Sequence, residues 1–241
     1  RQDGDRVGVV DNNGHEIFAD KIGLLIARNL ATEVSNSKFV IDVKSTSLFS
    51  TDEILKKNNS EIIFWKTGHS YIKRKTSDIN ATAGFERSGH FFFNNPIGRG
   101  YDDGILSALE ILKILDKNEN KTISDLYNQL TNTFSSPTMS PKCPEESKYK
   151  LVEKLEEIFQ HKKKNNETVA GQKILSILTV NGVRIHLEDG SWGLVRASSN
   201  SPNLVVVCES TISEDRMKEI FNDLNNELMK FNEIGEYDQK I

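Results

Sequence analysis

Four short polar stretches carry the side chains that could do chemistry. In Asp3-Gly4-Asp5-Arg6, two carboxylates flank a glycine and can turn toward one hard cation. Magnesium suits such oxygen donors, since it commonly takes one or two carboxylates together with a phosphate. Lys66-Thr67-Gly68-His69-Ser70, with Lys44 closing an earlier apolar run, gathers two ammonium groups and a histidine that would attract an anionic substrate. In Glu86-Arg87-Ser88-Gly89-His90, residues two apart on an extended chain face the same way. That pairs the Glu86 carboxylate with the Ser88 hydroxyl, a suitable grip for sugar hydroxyls, and puts His90 on the same face as a proton carrier. Arg196-Ala197-Ser198-Ser199-Asn200-Ser201-Pro202 offers a guanidinium fork, hydroxyls, an amide and turn N–H groups, the makings of a phosphate cradle. Each stretch alone also reads as a solvated turn. Together they describe the needs of a phosphosugar: a metal, a hydroxyl reader, a proton carrier and a phosphate grip.

The elements that must position these groups follow from the hydrophobic pattern. Val7–Val10, an Asn13-Gly14 turn and Glu16–Phe18 predict a hairpin. Ile22, Leu25, Ile26 and Leu30 recur at helical spacing. Strands are predicted over 39–43 and 61–65, with a helix over about 51–58 between them and a long helix after Asp103. This alternation predicts an α/β domain with a mixed, largely parallel sheet. The sites then fall at strand ends, where open α/β sheets hold ligands. After Thr133 the pattern changes. Ser135-Ser136-Pro137 and Ser140-Pro141 read as a linker. A helix around Tyr149–Phe159, four strands over 173–180, 183–187, 192–197 and 204–208, and a last helix from Ser213 predict a smaller α+β domain with an antiparallel sheet flanked by helices.

Composition narrows the function classes. With 37% hydrophobic and 27% charged residues the chain is ordinary globular protein rather than low-complexity or disordered. A net charge of -4 disfavours a nucleic-acid partner, and no apolar run is long enough to span a bilayer. Two distant cysteines, Cys143 and Cys208, form no disulfide or zinc framework and point to a reducing, cytoplasmic compartment. The chain opens on Arg1 in polar loop chemistry, which suggests a fragment or a processed piece.

The ordered set Asp3-Gly4-Asp5-Arg6-Val7-Gly8-Val9-Val10-Asp11, Asp42-Val43-Lys44, Lys66–Ser70, Glu86–His90, Asp102-Asp103-Gly104 and Arg196-Ala197-Ser198 resembles the α-D-phosphohexomutases, in particular the bacterial phosphomannomutase/phosphoglucomutase branch. The resemblance implies a four-domain parent, with residues 1–16 as the tail of domain two, 17–136 as the α/β domain three and 137–241 as the lid-like domain four. It further implies interconversion of hexose 1-phosphate and hexose 6-phosphate of mannose or glucose. Magnesium would sit at Asp3 and Asp5, sugar hydroxyls at Glu86 and Ser88, and active-site roles would fall to Lys44 and to His90 as proton carrier. Arg6 and His69 would touch substrate, and Arg196, Ser198, Ser199 and Asn200 would hold the non-transferred phosphate. The sequence departs from the family in three ways. Arg1 stands where the metal loop has its first carboxylate, so a weakened metal site is expected of this segment alone. Phe85 stands where a glycine is usual. The phosphoserine loop, expected in domain one, has no counterpart here, which predicts a chain that binds phosphosugar without turnover and depends on the N-terminal domains. The alternative is a non-catalytic phosphosugar-binding or interaction module.

Overall fold

The computed structural model describes residues 4–241, so Asp3 lies outside the described residues. The chain forms two units, dividing between Thr131 and Asn132.

The first unit begins with the expected hairpin, β1 (Val9–Val10) against β2 (Glu16–Ile17). Then come α1 (Ala19–Glu33), β3 (Lys38–Asp42), α2 (Leu48–Thr51), α3 (Glu53–Lys57), β4 (Glu61–Trp65), α4 (His69–Asp78), β5 (Ala83–Phe85), β6 (Phe91–Phe93), α5 (Gly104–Asp116) and α6 (Ile123–Tyr127). The sheet order is β4-β3-β5-β6. β3 runs parallel to both β4 and β5, and only β6 is antiparallel. The uninterrupted apolar run of β3 is explained by burial on both faces. Phe39 and Ile41 enter the core shared with α1, whereas Val40 packs with Ile72 of α4, Ala81 and Phe92. Asp52 caps α3 by accepting from the amides of Ile54 and Leu55, which fixes the start of that helix.

Phe85 is completely buried and meets the rings of Phe39, Phe49, Phe91 and Phe93 at centroid distances of 5.1–6.2 Å. A Cβ on Gly23 of α1 would stand 3.1 Å from the Phe85 ring. The bulky side chain at this strand end is therefore accommodated in the core by a glycine on the facing helix.

The second unit comprises β7 (Phe134–Ser135), α7 (Lys148–Lys164), β8 (Thr168–Val169), β9 (Gln172–Leu178), β10 (Val183–Leu187), β11 (Trp192–Ala197), β12 (Leu204–Ser210) and α8 (Glu214–Leu228). Its sheet is wholly antiparallel in the order β7-β12-β11-β10-β9-β8. The Ser/Pro-rich stretch read as a linker joins this unit instead. Phe134–Ser135 pairs with the end of β12, and Met139 exchanges backbone bonds with Val206. Ser213 caps α8 through the Arg216 amide. Leu151, Leu155 and Phe159 of α7 share one core with Ile220, Phe221 and Leu224 of α8 and the strands between them. Among the described residues, no helix is long and apolar enough to cross a membrane.

Candidate functional site

In the first unit the predicted polar stretches lie where three parallel strands end. Lys44 follows β3, the Lys66–Ser70 stretch follows β4, and Glu86–His90 connects β5 to β6. Glu86 is nearly fully buried, and both carboxylate oxygens are engaged. Its Oε1 accepts from the Gly68 amide at 2.7 Å and its Oε2 from the Ser88 hydroxyl at 2.8 Å. Burial pushes the Glu86 carboxyl above its usual range, and the negative charge of Asp42 adds to this; the bonds from Ser88 and Gly68 and the charge of His90 oppose it.

Glu86 and Ser88 thus converge, but not by strand alternation. Residues 86–89 form a turn, closed by the Gly89 amide donating to the Glu86 carbonyl at 3.0 Å, and Ser88 folds back within it. Gly89 takes φ +92°, and a Cβ there would stand 2.7 Å from the Val7 carbonyl oxygen. This close approach lets the Val7 amide donate to the Gly89 carbonyl at 3.1 Å and sets Arg6 in a backbone bridge with His90. The metal-loop segment is thereby brought to the proton carrier. His90 Nδ1 lies 2.8 Å from Asp102 Oδ2 and 3.7 Å from Asp5 Oδ2. A carboxylate only accepts, so Nδ1 carries the hydrogen and Nε2 is left to take or give a proton. Arg6 Nε lies 3.8 Å from Asp5 Oδ1.

His69 follows β4 at the sheet edge, as expected. It is the exposed first residue of α4, with its ring centroid 5.8 Å from that of His90. Lys44 is mostly buried, its Nζ 4.0 Å from Asp42 Oδ2, whereas Lys66 is exposed. One polar atom from each of Asp5, His90 and Asp102 lies within 4.8 Å of the other two. The two carboxylates suit a hard divalent cation, but the imidazole Nδ1 is already donated to Asp102. Asp5 therefore remains a fitting donor, and Asp102 is a second carboxylate that sequence reasoning left without a role. Its signal was the Asp102-Asp103-Gly104 motif. Asp103 has a separate duty, capping α5 through the Leu106 amide.

In the second unit Arg196 and Ala197 end β11, and Ser198–Asn203 lead into β12. Arg196 is buried and its Nη1 donates to the Ala197 carbonyl at 2.8 Å. Ser198 and Ser201 hydroxyls are 2.9 Å apart, and the Asn200 amide lies 3.4 Å from Ser198 Oγ. Ser199 and Asn200 are exposed at the tip. The loop is held from beneath by Lys148, a buried ammonium donating to the Ser201 carbonyl at 3.1 Å and to Glu145 at 2.6 Å. No sequence signal distinguished Lys148 from the other lysines of its helix.

Residues 18–134 match the family model "Phosphoglucomutase/phosphomannomutase, alpha/beta/alpha domain III", and residues 142–227 match its "C-terminal domain". A phosphomannomutase/phosphoglucomutase of Pseudomonas aeruginosa is 34% identical over 221 residues, covering 91% of this chain and 44% of that protein. A phosphomannomutase of Methanocaldococcus jannaschii is 30% identical over 229 residues, covering 95% of this chain and 46% of that protein. The crystal structure of a phosphoglucomutase/phosphomannomutase family protein from Burkholderia thailandensis superposes with a TM-score of 0.76 at 28% identity, covering 95% of this chain and 45% of that one. The chain thus spans less than half the length of these relatives. Matching the third and the last domain in order over most of its length, it belongs to the phosphoglucomutase/phosphomannomutase family of α-D-phosphohexomutases.

Proposed function

We propose that this chain supplies the sugar-recognition and phosphate-binding portion of a phosphohexomutase that interconverts hexose 1-phosphate and hexose 6-phosphate, with mannose or glucose as the sugar. The observation that carries this reading is the convergence of Glu86 and Ser88, bonded at 2.8 Å, beside the His90–Asp102 pair at the ends of parallel strands. Glu86 and Ser88 would exchange their mutual bond for bonds to sugar hydroxyls. His90, steadied through Nδ1, would take or give a hydroxyl proton at Nε2. Lys44, His69 and Arg6 would contact the substrate, and their positive charge favours a phosphorylated over a plain sugar. Arg196, Ser198, Ser199 and Asn200 would hold the phosphate that is not transferred, the guanidinium turning from its own backbone to the anion.

Asp5, with Asp3 beside it in sequence, would hold magnesium, which offsets phosphate charge when bound. No serine of this chain is assigned as phosphoryl carrier, so transfer belongs to a partner segment corresponding to the N-terminal domains of the relatives. Two buried free cysteines fit a reducing compartment, and we place the protein in the cytoplasm.

Calorimetry with glucose 1-phosphate, mannose 1-phosphate and unphosphorylated glucose tests the reading. The phosphosugars are expected to bind at least about tenfold more tightly than glucose. Equal affinity, or no binding of any of the three, contradicts it. A coupled mutase assay on the same polypeptide should show no turnover, and robust turnover would refute the missing-carrier argument. Arg1 in place of the first metal-loop carboxylate favours a second reading, a phosphosugar-binding module without catalysis. Adding the phosphorylated N-terminal half of the Pseudomonas aeruginosa relative discriminates the two, since only a mutase portion should gain turnover.

A further inference from the structure

We propose that Asp42 is the positioning residue of the sugar-binding cluster, a single buried carboxylate that ties together the three strand ends from which the site is built. It closes β3, the strand flanked by β4 on one side and β5 on the other. Asp42 is fully buried, and each of its oxygens reaches a different segment. Oδ2 accepts from the Thr67 hydroxyl at 3.2 Å, in the stretch after β4 that supplies the Gly68 amide and His69. Oδ1 accepts from the Arg87 amide at 3.4 Å, inside the turn that holds Glu86 and Ser88. The Ser45 hydroxyl also donates to Oδ1, and Lys44 Nζ stands 4.0 Å from Oδ2. Arg87 closes the loop of contacts by donating from Nη1 to the Lys44 carbonyl at 3.2 Å while its guanidinium lies over the Phe18 ring.

Folding alone does not call for this arrangement. A buried charge is costly even when hydrogen-bonded, and placing it near a second buried carboxylate, Glu86, adds like-charge repulsion. An asparagine of the same shape could still accept from Ser45 and Arg87 through its oxygen and donate from its amide to the Thr67 hydroxyl oxygen, without that repulsion. Local arrangements that oppose stability are expected at functional sites. The carboxylate provides two things a neutral group cannot. It anchors the Lys44 ammonium, and its field favours keeping the Glu86 carboxyl protonated, opposed by the His90 charge and by the bonds from Ser88 and Gly68. Burial raises the Glu86 carboxyl most and the Asp42 charge adds to it, while Asp42's bonds to Thr67 and Arg87 hold the two segments that supply Glu86's partners Gly68 and Ser88. Asp42 acts through Lys44, Thr67 and Arg87 and need not touch the substrate.

The inference rests on the sugar-binding reading, so its test has one readout that needs no ligand. In Asp42→Asn, the Glu86 carboxyl followed by 13C NMR should titrate at a lower pH than in the parent chain, because the neighbouring charge is gone. Glucose 1-phosphate affinity should fall about tenfold, the scale of one charged hydrogen bond. The thermal midpoint should stay the same or rise. A folded Asp42→Asn with an unshifted Glu86 titration and unchanged affinity overturns the proposal. Should that variant not fold, Thr67→Val removes one tie and leaves the charge. It should keep the Glu86 titration and weaken binding about threefold, and unchanged binding there counts equally against Asp42. If the parent chain binds no phosphosugar, the functional reading fails, while the Glu86 titration still decides the role of Asp42.

Discussion

The polar cluster of the first unit and the loop of the second are built on opposite plans. Around Glu86 the carboxylates of Glu86 and Asp42 and the His90 ring are buried, with Ser88 and His69 exposed at the rim, and Asp42 bonds to the segments on either side from below. At Arg196–Pro202 the polar groups bond mostly to one another: the guanidinium to its own chain, Ser198 to Ser201, with Ser199 and Asn200 in solvent. Parallel strand ends bring three loops to one place, so a single buried carboxylate can tie them. An antiparallel hairpin offers one loop, whose polar groups bond largely to one another. The difference suits the roles proposed above, a fixed reader of sugar stereochemistry and an adaptable phosphate grip.

Four changes would break or sharpen this contrast. The largest effect is expected for Glu86→Gln, which removes the acceptor that the whole first cluster serves. Hexose phosphate affinity should fall by about 2 kcal/mol, or roughly thirtyfold, in calorimetry, and a variant that binds as before would show that Glu86 is only structural. Arg196→Lys keeps the charge but loses the fork, so affinity should drop about tenfold. Affinity within twofold of the parent chain would remove the loop from the phosphate site.

The Glu86 carboxyl and the His186 imidazole should make opposite contributions to the acid response of their units. The raised carboxyl of Glu86 binds a proton when folded at pH values where the unfolded chain has lost it. Its contribution to the first unit is therefore lost as pH rises through the window above the usual 4.5, whereas the lowered carboxyls of Asp11, Glu33 and Asp125 lose theirs as pH falls below their usual range. His186 of β10 is held down from 6.5 to about 3, by burial first and by Arg184 second. The unfolded chain binds that proton and the folded one does not, so the second unit is most stable above 6.5 and loses stability as pH falls toward 3. Amide exchange read separately for each unit between pH 7 and 4 should show the second weakening first. His186→Gln should flatten its pH dependence, and an unchanged profile would contradict the assignment to His186. The smallest effect is expected for Lys148→Met, which removes one support beneath the phosphate loop. Binding should weaken about threefold with little change in fold, and a larger loss than that of Arg196→Lys would make Lys148 part of the grip itself.

Much of this was legible in the sequence because apolar period and turn chemistry are local. The β3 run Phe39–Ile41, the Asn13-Gly14 hairpin and the Ser213 cap each declare themselves within a few residues. The site clusters were legible as motifs, but their geometry was not. Glu86 meets Ser88 through a turn fixed by Gly89 against Val7, an approach between chain segments some eighty residues apart that no local rule encodes. Asp42 and Asp102 stood inside motifs but were given no role, because a carboxylate at a strand end or before a helix looks like an ordinary terminus until the third dimension supplies its partners. The Ser/Pro stretch misled for the converse reason. Its composition is that of a linker, yet an open edge of β12 was available to pair with it.

The central claim is that the cluster around Glu86 recognises the hydroxyls of a phosphorylated hexose. It is tested most directly by titrating the isotopically labelled chain with glucose 1-phosphate and following the backbone amides of Gly68, Ser88 and His90 by NMR. The account predicts saturable shifts at all three, with a midpoint that matches the calorimetric affinity and moves about thirtyfold higher in Glu86→Gln. Amides that stay still while ligand binds, or a midpoint that does not move in Glu86→Gln, would contradict it.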